Sequence, residues 1–287
     1  MTTPDATTAA LAETMTKVIK ARVEAGRLVL PALPEVATKA LELLRRPDQN
    51  MKSITDLLEK DPVLVAQLVK LGSSAAYAGT ENVTSIRQVV ARLGTQKLTT
   101  ALTEAVTHRV FQSNDSRIRT FLEQIWLHSQ TVAGLARDIA ALSKGIDADA
   151  AYLGGLLHDV GKPVVAIMLL EAEKSMKVRW ISADAWVQVV NTCHREIGIA
   201  VSEQWKMPDA VQRAVKDCSE YDPGDRNSVA NVVRLANSVA KMNGVYPGTF
   251  DKEDAEAMVM IGRSVIGIDD TVLARLASTV SAKRAAG

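Results

Sequence analysis

Cysteine is almost missing from the 287-residue chain: Cys193 and Cys218 stand alone, and neither belongs to a Cys-x-x-Cys pair. That excludes a disulfide framework and suits a reducing compartment. Aromatic residues make up only 4%, and β-branched runs are short, so little in the chain asks to be a strand. Charge of one sign is not in excess, with 34 Lys and Arg against 33 Asp and Glu and a net charge of +1. This balance argues against a protein whose main work is non-specific binding of nucleic acid or an anionic membrane. No uninterrupted apolar run of membrane-spanning length occurs. The stretch Met1 to Glu13 carries no basic residue and no apolar run, so it does not read as a secretory signal. The expected location is the cytoplasm, with no membrane partner.

What the chain does have is helical periodicity. Hydrophobic residues reach 47% and charged residues 23%, an ordinary globular balance. A first helix is predicted over about Leu11 to Ala25. Leu30-Pro31-Ala32-Leu33-Pro34 then breaks regular structure, because two prolines remove donors and fix φ. Val36, Ala40, Leu43 and Leu44 give one buried helical face. Ser53 followed by Asp56 reads as a capping box, Asp61-Pro62 as an N-cap with proline at the first helical position, and Ser85 with Gln88 as a second capping box. Gly94 after Leu93 reads as a helix stop. The polar run Gln112 to Arg119 reads as a link between two lobes. Loops are predicted at Lys144-Gly145, Tyr221 to Asn227 and Gly244 to Thr249. The expected fold is all-α, with residues 1–29 an extension and first helix, 30–115 an N-terminal lobe, and 120–287 a second lobe. The lobes are expected to pack as one composite unit.

Four histidines are available for chemistry. His158 and Asp159 are adjacent in Gly154-Gly155-Leu156-Leu157-His158-Asp159-Val160-Gly161-Lys162. Imidazole and carboxylate are ligand types for a divalent metal, whose bound water is a nucleophile near neutral pH. The alternative is a buried histidine with its aspartate bracing a helix end. His128 opens a helix with Val132, Leu135 and Ile139 inward, and histidines on facing helices are how bundles build metal sites. Two histidines and one carboxylate leave such a metal short of ligands. Lys162 after a glycine reads either as a solvated charge or as a phosphate-binding group. Trp126, Trp180, Trp186 and Trp205 are read as packing anchors, and His108 as structural.

His128 followed by His158-Asp159 in a Leu-Leu-His-Asp-Val-Gly-Lys setting resembles the HD phosphohydrolase superfamily. There a His, a His-Asp pair and a later Asp hold one or two metals for phosphoester hydrolysis. Leu33-Pro34-Glu35-Val36, Asp61-Pro62-Val63-Leu64, Lys70 to Ser74, Ser85 to Val90 with Leu93-Gly94, His194 to Gly198, and Trp205-Lys206-Met207-Pro208 resemble its HDOD branch, over about Leu30 to Asn243. HDOD proteins are bacterial signalling proteins, generally regarded as regulatory modules without demonstrated hydrolase activity. The departures agree with that. The superfamily's closing Asp falls at Asn237, which is neutral and a weaker ligand. A His-His pair of the cyclic-di-GMP phosphodiesterase relatives falls at Cys218-Ser219. His194 matches a ligand of those relatives.

The resemblance implies a non-catalytic regulatory module with His128, His158 and Asp159 as a vestigial metal site, His194 a weaker ligand, and no resident cofactor. Many family members carry fused receiver or enzyme domains. This chain has no room for one, so a signalling partner in trans is expected, with a nucleotide-like ligand as a further candidate near Lys162. The alternative is a metal-dependent phosphohydrolase acting on a nucleotide or cyclic dinucleotide. A nucleic-acid-binding role would need a dense basic face. Arg87, Arg92 and Lys97 are too thinly spread to build one.

Overall fold

The structure, a computed structural model, describes residues 6–25, 30–74, 77, 83–176, 183–217, 220–248 and 250–286. Among these residues every regular element is a helix, in agreement with the all-α expectation. The chain divides into two compact units, Ala32–Val110 and Met1–Pro31 with Phe111–Gly287.

The smaller unit follows from short amphipathic segments with clear start signals. Its helices are α2 (Glu35–Leu44), α3 (Met51–Leu58), α4 (Pro62–Gly72) and α5 (Ile86–Val110). Asp61 accepts from the Leu64 amide at 2.9 Å with Pro62 at the first position, as the sequence asks. The start of α3 differs from expectation: Asn50, not Ser53, is the cap, accepting from the amides of Lys52 and Ser53. Gly94 also behaves differently from a simple stop. It takes φ +63°, ψ −173°, breaking α5, and the chain re-enters helix at once. Ala40, Leu41, Ile54, Leu58, Leu64, Leu68, Val89, Leu98 and Leu102 fill this unit's core.

The larger unit comprises α1 (Ala6–Glu24), α6 (Ser116–Leu142), α7 (Ala148–Leu157), α8 (Gly161–Met176), α9 (Ala183–Gln204), α10 (Asp209–Lys216), α11 (Val229–Met242), α12 (Lys252–Ile266) and α13 (Asp270–Ala286). Thus α6 begins inside the stretch expected to be a link, because Asp115 caps it by accepting from the Arg117 amide. Asp147, Ser228 and Asp251 cap α7, α11 and α12 in the same way. The predicted loops at Gly145 and Gly244 contain left-handed glycines, with φ +80° and +75°. The apolar stripes of α6, α7 and α11 share one core, in which Val132, Ala136, Ile139, Ala151, Val232, Val233 and Ala236 are fully buried. Helix α1 packs on α9, so it is a working part of this unit.

Large aromatics anchor packing where they are described. Trp126 meets Phe111 and Trp186 meets Phe121, each with ring centroids 5.2 Å apart, and Trp205 donates to the Pro31 carbonyl at 2.9 Å. Trp180 lies outside the described residues.

Within Ala148–Lys174 the most apolar 18-residue window has a mean hydropathy of 1.5 and would pass for a membrane span by composition, yet 89% of that window is buried inside the protein. His158-Asp159-Val160 interrupts it between α7 and α8. That interruption is where the candidate site forms.

Candidate functional site

Two glycines bring the helices together. A Cβ on Gly155 would sit 2.7 Å from the Ala133 Cα and 2.9 Å from the Val132 carbonyl, so α7 lies backbone to backbone on α6. That contact sets His158, one turn on, beside His128, with ring centroids 5.2 Å apart. A Cβ on Gly161 would collide with the His194 carbonyl, so the start of α8 is pressed against α9. His194 is thereby delivered to the same point. A side chain at either glycine would pry the site open.

Each of the three imidazoles is anchored in the same way. Nδ1 of His128 donates to the Val245 carbonyl at 2.6 Å, that of His158 to Gly155 at 2.7 Å, and that of His194 to Asn191 at 2.7 Å. A carbonyl only accepts, so each Nδ1 carries its proton. In a neutral ring anchored in this way, Nε2 is the ligand atom. All three Nε2 atoms converge on Asp159, from His128 at 3.7 Å, His158 at 3.4 Å and His194 at 3.6 Å. The Nε2 atoms of His128 and His158 are buried and have no hydrogen-bond partner. Lone pairs aimed at a carboxylate are acceptors facing an acceptor, which calls for a cation between them.

One cation is built in. Lys162 Nζ donates to Asp159 Oδ2 at 2.6 Å and lies 3.4 Å from the Tyr246 hydroxyl. Lys162 is 4% exposed, so it is not the solvated charge that one sequence reading allowed. Tyr246 closes this side: its ring stands edge-on to His128 with centroids 5.2 Å apart, and Lys162 Nζ lies 4.8 Å from its centre. His128, His158 and Asp159 are likewise almost fully buried.

The electrostatics follow from that burial. Burial, helped by His158, pushes His128 down to about 3, and it is neutral at pH 7. His194 falls to about 4, again chiefly through burial, against the pull of Asp159. Burial alone would raise the Asp159 carboxyl, but Lys162, and after it His158, hold it well below the usual carboxylate range. Lys162 is raised, because Asp159 outweighs the burial that opposes its charge. One full negative charge therefore meets one full positive charge in a buried setting.

The donor set fits a divalent ion in type: three imidazoles with anchored Nδ1 and one carboxylate are what such an ion takes. In charge it fits less well. The single carboxylate is already matched by Lys162, and the neutral Asn237 adds none.

Asn237 is not joined to this cluster by any hydrogen bond or ion pair among the described residues. It lines a neighbouring hollow together with Tyr246, and its Oδ1 is buried without a hydrogen-bond partner. Cys218 and Ser219 lie outside the described residues. The sequence reading missed Tyr246, the Val245 carbonyl, and the roles of Gly155 and Gly161. A tyrosine inside a Gly-x-Tyr-Pro-Gly loop is a signal only in retrospect.

The family model for the HDOD domain matches residues 30–221. The chain belongs to the HDOD family. The HDOD match includes His128, His158, Asp159, Lys162 and His194, while Asn237 and Tyr246 lie beyond it. A crystal structure from Shewanella amazonensis SB2B, of a protein classed provisionally as a metal-dependent phosphohydrolase, has a TM-score of 0.77 at 20% identity. It covers 94% of this chain and 98% of that one. A structure from Marinobacter aquaeolei VT8, of a protein classed provisionally in signal transduction, has a TM-score of 0.59 at 22% identity, covering 95% of this chain and 66% of that one. Both are likenesses of fold. An uncharacterized protein of Treponema pallidum is 28% identical over 228 residues, which are 75% of this chain and 44% of that protein. The chain thus spans less than half the length of that relative.

Proposed function

We propose that this HDOD protein is a non-catalytic regulatory module, whose HD-type centre is a closed structural knot that acts through a signalling partner in trans. The observation that carries the reading is the 2.6 Å pair between Lys162 and Asp159, both of which are almost fully buried. A hydrolytic metal needs carboxylate charge, an open coordination position and a path for substrate. Here the one carboxylate is neutralised by an internal ammonium. A dication placed beside it would add two positive charges, with no further carboxylate paired to the cluster among the described residues. The regulatory side of the reading draws on the family resemblance and on the provisional signalling assignment of the Marinobacter protein.

The second reading, a metal-dependent phosphohydrolase acting on a nucleotide or cyclic dinucleotide, is favoured by one observation. The unpartnered Nε2 atoms of His128 and His158 point at a carboxylate as ligands would. If a divalent ion were held, His128, His158, His194 and Asp159 would hold it, and it would supply an activated water.

The deciding experiment measures metal per chain by elemental analysis, after purification without chelator and again after loading with zinc or manganese and dialysis. Hydrolysis of bis-p-nitrophenyl phosphate is followed in parallel, with Asp159→Ala as control. Far less than one metal per chain and no hydrolysis above the control is the expected result. Stoichiometric metal with hydrolysis that Asp159→Ala abolishes would replace the first reading by the second.

A further inference from the structure

Beside the buried centre lies a hollow of about 220 Å³ between α11 and α12. From α11 it is lined by Arg234, Asn237 and Lys241, at positions i, i+3 and i+7 of one helical face. From the start of α12 it is lined by Asp251 and Asp254, and Tyr246 and Phe250 also line it, their rings edge-on to each other with centroids 6.0 Å apart. Two cations and two carboxylates therefore face one small space. Its volume is below the range of sites that hold drug-sized ligands.

The charge pattern selects the ligand. A phosphate or other pure anion would meet Asp251 and Asp254 as well as Arg234 and Lys241. A pure cation would meet the reverse. A small molecule carrying both signs satisfies each wall in turn. The buried Asn237 Oδ1, which has no hydrogen-bond partner, adds an acceptor that an ammonium or N–H would fill. Phe250, 36% exposed, offers an apolar surface at the rim.

We infer that the α11–α12 hollow is a binding site for a small zwitterion of the α-amino-acid type. Its carboxylate pairs with Arg234 and Lys241, its ammonium with Asp254 and the Asn237 carbonyl oxygen, and its side chain lies against Phe250. This deepens the regulatory reading by naming a class of effector, and it points away from a nucleotide. The site has a physical route to the buried centre. Tyr246 is 4.9 Å from Lys241 Nζ on one side, and 4.8 Å from Lys162 Nζ on the other. An occupant would thus act on the buried pair through one ring.

The test is a thermal-shift screen of the full chain against the twenty amino acids, inorganic phosphate and the four 5′-mononucleotides, followed by calorimetric titration of any hit. The expected result is that at least one amino acid binds, while phosphate and mononucleotides do not. Lys241→Met and Asp254→Asn, both at partly or fully exposed positions, should each weaken that affinity about tenfold, since each removes one charge-assisted contact, and leave the Tm of the free protein unchanged. Three results would overturn it: no amino acid binding at millimolar concentration, binding of phosphate or mononucleotides instead, or amino-acid binding that both substitutions leave intact. None of these bears on metal content or hydrolysis, so failure here is distinguishable from failure of the regulatory reading.

Discussion

Lys162 and Asp159 form a pair in which each member's charge is tolerated only because of the other. Removing one partner of such a pair typically costs about 3–5 kcal/mol, whereas replacing both by neutral groups of similar shape costs far less. Lys162→Met should therefore destabilise by about 3–5 kcal/mol, and the double variant Asp159→Asn, Lys162→Met should recover most of it. Chemical denaturation of the three proteins measures this, and a Lys162→Met cost below about 1 kcal/mol would show the pair to be solvated. Lys162→Met also leaves three imidazoles around an unmatched carboxylate. Zinc should raise the Tm of this variant and leave the wild type unmoved. His128 and His194 make a separate prediction. Their folded pKa values lie below the unfolded value of about 6.5, so the unfolded chain takes up their protons first as pH falls. Stability is complete above that value, and is lost as pH drops toward about 4 for His194 and about 3 for His128. Each group contributes a slope of about 1.4 kcal/mol per pH unit within its window. Urea midpoints of chelator-treated protein should fall steadily from pH 7 to pH 5, and His128→Gln should reduce the slope. A flat profile in both proteins would contradict the burial argument.

Helices meet at this site through backbone rather than side chains, and that decides which glycines matter. Gly161→Ala would force α8 away from the His194 carbonyl, so it should cost about 3 kcal/mol or more and separate His194 from Asp159. Gly94→Ala, in open space but at φ +63°, should cost only about 1–2 kcal/mol through backbone strain. Thermal denaturation of both variants checks the ranking, and a milder Gly161→Ala would mean that α8 and α9 adjust freely. The same contacts mark the limit of what the sequence reveals. His158 and Asp159 were legible because an apolar helix ending in His-Asp-x-Gly is poorly explained by packing, and His128 because it shares a helix with the inward Val132, Leu135 and Ile139. His194 was legible only through resemblance. Gly155, Gly161 and the Val245 carbonyl were not, since close backbone approach is a tertiary property that no local pattern encodes. At α3 the error was one of competition. Asn50 and Ser53 are both good caps, and their intrinsic preferences do not rank them.

Across the whole molecule, acidic and basic residues nearly cancel, and neither the site nor the neighbouring hollow carries a one-signed field. Titration with labelled duplex DNA at low and moderate salt should show weak binding with a shallow salt dependence. A slope equivalent to several released counterions would reveal a basic face that the balance conceals. The all-α architecture itself was readable from 3.6-residue periodicity and cap residues, because those signals are local. The inclusion of α1 in the larger unit was not, since it depends on α9 far along the chain.

One consequence of the interruption between α7 and α8 concerns the chain before it folds. By length and composition alone the stretch Ala148–Lys174 could cross a bilayer, a test that the buried core helix of a globular protein also passes. A charged residue at the centre of such a segment opposes its insertion by about 2.5–3.5 kcal/mol. Asp159 and Lys162 both fall near the middle of this one. The two charges that close the folded centre therefore also steer the nascent segment away from lipid. Replacing both with leucine should send a measurable share of newly made chain to the membrane fraction, even though the same substitution leaves a packable helix pair.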